Sequence, residues 1–153
     1  MTSVKKPFFL NSYMLNPHRL HHHVYDKKDH DLARNFANKL KTELDILLKE
    51  VIFFGSAKRS MDVITELTAH DIDVLVIVDD LKKVFSNEVI EAYRIITEQT
   101  ARSVSTRLHI NTIKLSQFWE YISNGDPIAL NILREGMPLL DQGLVEPLQE
   151  LLK

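Results

Sequence analysis

The stretch Val51-Ile52-Phe53-Phe54-Gly55-Ser56, followed after residues 57–70 by Asp71-Ile72-Asp73-Val74-Leu75-Val76-Ile77-Val78, decides how this chain is read. Both segments are short apolar runs rich in β-branched and aromatic residues, which is the pattern of strands. The second is continuously apolar from Val74, which suits a strand covered on both faces. Gly55 is expected to stop the first run, and Asp79-Asp80 to end the second.

Upstream, Leu32, Phe36, Leu40, Leu44 and Leu47-Leu48 recur at three- and four-residue steps. That spacing predicts an amphipathic helix over 29–49, with Asp29 or Asp31 as its start signal. Downstream, Val89, Ile90, Tyr93, Ile96 and Thr100 mark the inner face of a helix over 85–103. Residues 107–113 read as a third strand. Leu108, Ile110 and Thr112 point one way, and His109, Asn111 and Ile113 the other. Helices over 115–123 and 126–135 follow, with Gly136 as a C-cap and Phe118, Trp119 and Tyr121 as packing residues. A last helix is expected around 146–152, and a short one from Ser60-Met61-Asp62. The order is helix, strand, strand, helix, strand, then helices. It predicts an α/β (α+β) fold: a mixed β-sheet flanked by helices.

The chain has 153 residues, 44% hydrophobic and 26% charged, enough for one self-standing core. Pro7 and Pro17, with Asn11, Ser12 and Asn16, make 1–25 an irregular segment and leave 26–153 as the domain. Phe8, Phe9, Tyr13, Met14 and Leu15 are too apolar for a free tail and are expected to dock on the domain or a partner. A net charge of −2 gives no reason to expect nucleic acid or an anionic membrane. Positive charge is nonetheless concentrated early: residues 1–41 hold eight Lys/Arg against three acids. No cysteine is present, which excludes disulfides and thiolate metal sites. No apolar stretch approaches the ~18 residues of a membrane span, and the start lacks an apolar signal core, so a cytoplasmic location is expected. His21-His22-His23, with His18 nearby, reads as an exposed polar loop or as a transition-metal trap.

The chemistry sits where the two runs meet their polar neighbours. Asp71 and Asp73 are two residues apart on a strand, so both carboxylates face one side, about 7 Å apart by the rise per residue. Such a pair can converge on Mg²⁺ or Mn²⁺, with phosphate oxygens and water completing the shell. Gly55 lets an anion approach the backbone, because no Cβ stands in the way. If Ser56 opens a helical turn, its backbone N–H points at the same anion. Lys58 and Arg59 lie within reach of that anion, or are simply solvated.

The pattern Phe53-Phe54-Gly55-Ser56 … Asp71-Ile72-Asp73-Val74-Leu75-Val76 resembles the signature of the DNA polymerase β-like nucleotidyltransferase superfamily. More narrowly, it is similar to that of the minimal nucleotidyltransferases of prokaryotes. The stretch Phe118-Trp119 … Gly125-Asp126-Pro127 … Leu133-Arg134-Glu135-Gly136-Met137-Pro138-Leu139-Leu140-Asp141 also resembles archaeal-type members, so the likeness covers roughly residues 30–150. It implies transfer of a nucleoside monophosphate from an NTP, ATP foremost, to an acceptor hydroxyl on a protein, RNA end or small molecule. It further implies Asp71 and Asp73 as the metal-binding catalytic carboxylates, and Gly55, Ser56, Lys58 and Arg59 as nucleotide-binding. The alternative it carries is a non-catalytic module, such as the antitoxin partner of a HEPN-type ribonuclease in a toxin–antitoxin pair. Three departures stand out. The spacer of residues 57–70 is longer than in many minimal members, Ala57-Lys58-Arg59-Ser60 lacks a glycine, and the third strand has no acid. His109 or Asn111 stands where that acid is expected.

Overall fold

β2 (Ile72–Val78) has six of its seven residues, all but Asp73, fully buried, so the fold must cover it on both faces. It does so in three layers. In the computed structural model, which describes residues 27–56, 71–81, 84–141 and 143–151, four strands form one sheet in the order β3-β2-β1-β4. β1 spans Leu48–Ser56, β3 Leu108–Lys114 and β4 Met137–Asp141. β1 runs antiparallel to both β2 and β4, whereas β2 and β3 are parallel. The expected mixed sheet flanked by helices is therefore observed.

Alternation along β2 sorts its side chains between two cores. Ile72, Val74, Val76 and Val78 pack with Ala33, Phe36, Ala37 and Leu40 of α1 (Lys27–Leu44) and with Tyr93 and Ala101 of α2 (Asn87–Val104). Leu75 and Ile77 face the other way. They meet Phe118 of α3 (Leu115–Ser123), Ile132 and Leu133 of α4 (Pro127–Glu135), and Val145 of α5 (Val145–Leu151). The parallel β2–β3 pair needs a crossover, which α2 supplies. Among the described residues, no helix is long and apolar enough to cross a membrane.

Several expectations are corrected. The first helix ends at Leu44, not near residue 49. Asp45 takes a positive φ of 45°, one 3₁₀ turn follows, and Leu48 is already paired with Val78. Strand pairing and burial override the helical spacing of Leu47-Leu48. Gly55 does not stop β1: the strand continues through Ser56, because a bulge between Phe53 and Gly55 keeps the ladder in step with β2. For the same reason Ser56 ends a strand rather than opening a helical turn. Val89 is exposed rather than inward, while Thr97 and Ala101 are buried. β4 was not expected, because Pro138 demotes Met137–Asp141 as a strand; the sheet places it at an edge, where proline is tolerated.

Polar side chains fix the helix starts. Ser86 Oγ accepts from Val89 N–H at α2, and Asp126 Oδ1 accepts from Ile128 and Ala129 N–H at α4. Asp80 does the same at a distance, accepting from both the backbone N–H and the hydroxyl of Ser116 in the first turn of α3. Asp79 is buried and accepts from Leu81 N–H. The two acids that end β2 thus secure the next turn and a facing helix.

Gly136 ends α4 with ordinary backbone angles (φ −68°), so close approach explains it rather than a left-handed turn. A Cβ there would lie 2.4 Å from the Ile132 carbonyl oxygen and 2.5 Å from Ile52 Cγ2. Gly136→Ala is expected to destabilise the fold by about 1–3 kcal/mol through overpacking. Gly125, at φ +69° with open space beside it, should accept Asn within about 0.5 kcal/mol. Urea unfolding of the two variants checks the contrast.

Candidate functional site

The end of β1 and the beginnings of β2 and β3 lie together, because β2 is antiparallel to one and parallel to the other. At this end Gly55 is the register partner of Asp73, and Ser56 of Ile72. On the other side of β2, Asp73 is in register with His109. Three strands therefore bring a glycine, a carboxylate and an imidazole into one row. Asp71 precedes the first residue of β2 and is exposed at the mouth of the strand.

Alternation puts the Asp73 side chain on the face of Leu75 and Ile77, the face covered by α3, α4 and α5. His109 Nδ1–H donates to Asp73 Oδ1 across 3.1 Å. The histidine is about half exposed, at 46%, and the carboxylate largely covered, at 15%. Burial raises the Asp73 pKa above the ordinary carboxylate value, which the His109 contact offsets in part and the neighbouring Asp71 charge reinforces. The hydrogen bond to Asp73 raises the His109 pKa, against a smaller opposing effect of burial, and the Asp73 and Asp71 charges add to it.

Asn111, the other third-strand candidate, is in register with Leu75, two residues deeper than His109. It is only 8% exposed, and its amide nitrogen has no hydrogen-bond partner among the described residues. The structure thus brings His109, and not Asn111, onto Asp73. Arg107 is drawn to α1: its guanidinium donates to Asp29 Oδ1 at 2.8 Å, and that carboxylate is buried. Asp29 ties α1 to the turn that leads into β3 and is also an acid in the first helical turn. Lys58, Arg59, the turn from Ser60, the histidine run and the apolar residues of 1–25 lie outside the described residues.

Among the described residues, no three His, Cys, Asp or Glu side chains gather as a ready-made metal cage. The acids at this end of the sheet are Asp73 and, exposed at the mouth of β2, Asp71. Two carboxylates completed by water and phosphate fit a hard cation such as Mg²⁺ or Mn²⁺, and do not fit a closed structural Zn²⁺ site. The sequence offers His109 and Asn111 alike at the third-strand position and does not choose between them. The contact between Asp73 and His109 joins residues 36 positions apart and depends on strand register alone.

With a folded pKa above its ordinary 6.5, His109 adds stability that is full below that value and is lost as pH rises through the folded pKa. Asp73→Asn removes the charge and the strongest acceptor. The His109 imidazole, followed by NMR titration, is then expected to titrate closer to 6.5, and the loss of stability above that pH should shrink. An unchanged titration would show that the pair does not form in solution. No family model, no curated protein and no solved structure matches this chain.

Proposed function

We propose that this chain is a nucleotidyltransferase-fold protein that binds an NTP, ATP foremost, with a divalent cation, and transfers the nucleoside monophosphate to an acceptor hydroxyl. The observation that supports this most is the register of Gly55 with Asp73 on adjacent strands, with Asp71 at the same mouth. Gly55 offers a backbone that phosphate can approach without meeting a side chain. Asp71 and Asp73 hold Mg²⁺ or Mn²⁺, which when bound supplies charge neutralisation and electrophilic activation at the α-phosphate. Packing of Leu75 and Ile77 below Asp73 fixes the strand that aims the carboxylate, so the site's precision rests on the sheet. Lys58 and Arg59, on the segment between β1 and β2, are assigned to the phosphates.

A second reading keeps the fold and the nucleotide but drops the transfer: an interaction module, of the kind that partners a HEPN-type ribonuclease. The absence of any acid from β3 (Leu-His-Ile-Asn-Thr-Ile-Lys) favours it, since no carboxylate on that strand is placed to take a proton from an acceptor. A protein or RNA acceptor on the one side and a protein partner on the other are the two outcomes to separate.

Isothermal titration of ATP with Mg²⁺ or Mn²⁺ against wild type and the Asp71→Ala/Asp73→Ala double variant tests the common part. Wild type is expected to bind, and the variant to lose affinity by at least about ten-fold, the scale of losing partners at a metal site. Equal, negligible binding by both removes the proposal. Radiolabel transfer from α-labelled ATP to protein or RNA then separates enzyme from module.

A further inference from the structure

We propose that His109 is a nucleophile, whose Nε2 takes the nucleoside monophosphate from the NTP before any acceptor does. The inference rests on the nucleotide-site reading above and adds a covalent step and the atom that carries it.

The hydrogen bond to Asp73 decides which ring nitrogen is available. An ionised carboxylate only accepts, so the proton shared across 3.1 Å belongs to His109 Nδ1. That fixes the tautomer and leaves the ring's lone pair on Nε2. Strand register sets the two residues side by side, so backbone pairing holds the imidazole to its partner. Among the described residues Nε2 has no hydrogen-bond partner, and the side chain is about half exposed, so the ring is open to a ligand. A nucleophile whose orientation is held by a second group is the arrangement of covalent catalysis. Asn111, the other polar candidate on this strand, is buried, and an amide nitrogen is no nucleophile. The carboxylate of Asp73 has two oxygens, so the one facing His109 leaves the other for a cation.

In the first half-step the Nε2 lone pair attacks the α-phosphorus and a P–N bond forms. The bond from that phosphorus to the bridging oxygen breaks, and pyrophosphate leaves with the electron pair. The ring gains positive charge, which the Asp73 carboxylate offsets through Nδ1–H. In the second half-step an acceptor oxygen attacks the same phosphorus. The P–N bond breaks, its electron pair returns to Nε2, and the hydroxyl proton passes to water. Neutral imidazole needs no base in order to attack, which suits a site whose third strand carries no acid. One difficult transfer thus becomes two easier ones, and imidazole is the leaving group of the second.

The test uses the full chain with Mg²⁺ and no acceptor, at mildly alkaline pH, where a phosphoramidate persists. Wild type is expected to keep label from α-labelled ATP and none from γ-labelled ATP. The label should be lost in acid and map to His109 by mass spectrometry. Labelled pyrophosphate should also exchange into ATP, which reads the first half-step even when the adduct is short-lived. His109→Gln and His109→Ala should lower labelling and exchange by at least about a hundred-fold, modest beside what loss of a nucleophile can cost. Circular dichroism confirms that each variant is folded. If wild type binds ATP in calorimetry but shows neither labelling nor exchange, or if either persists in both variants, the role of His109 is overturned and the nucleotide site stands. Label from the γ-phosphate, or label stable to acid, overturns it equally. If wild type binds no ATP, the site reading itself fails.

Discussion

Burial of one strand on both faces governs this molecule. β2 has no solvent side along Val74–Val78, so it requires a helical layer above and another below. Each apolar side chain removed from water contributes about 1.5–3 kcal/mol, and β2 supplies six of them in one short segment. Everything else is arranged around that demand. α1 and α2 close one face, α3, α4 and α5 close the other, and the edges fall to β3 and β4. Polar groups can occur only where β2 leaves its cover, at its two ends. Each end carries a pair of acids, with different fates. Asp79 and Asp80 are spent on backbone and hydroxyl donors, whereas Asp71 and Asp73 sit beside an exposed imidazole.

That division explains what the sequence disclosed and what it withheld. β2 was legible because an unbroken apolar run admits few structures. The two long helices were legible from their periodicity, although Leu47-Leu48 kept the helical spacing after the helix had ended. Their burial is set by pairing with β2, a tertiary constraint that local spacing does not encode. β4 hid behind Pro138, since a proline counts against a strand unless an edge position is already known. Gly136 was rightly placed at a helix end, but its cause, contact with Ile52 on β1, lies 84 positions back along the chain.

The candidate site was legible in part for the same reason. Gly55-Ser56 and Asp71-Ile72-Asp73 flank apolar runs, so their convergence follows once adjacent antiparallel strands are assumed. The third strand was different. His109 and Asn111 are equivalent in sequence, two polar residues on one face. The register that sets one beside Asp73 and the other beside Leu75 arises from the α2 crossover, whose length the sequence shows but whose landing point it does not. Electrostatics follow from that landing point. The carboxylate loses water to the sheet and gains a histidine, and both groups hold their protons to higher pH than they would in solution.

The bulge in β1 has a consequence for the mouth of the sheet. Ile52 pairs with Leu75 and Phe53 with Val74, so unbroken pairing would next set Phe54 against Asp73. A benzyl ring would then crowd the carboxylate and shut out anything hydrated. The bulge makes Phe54, packed in the core with Ile52, the unpaired extra residue and sets Gly55 opposite Asp73. The extra residue thus keeps its ring with the apolar layer, and the one residue without a side chain takes the corner beside the carboxylate.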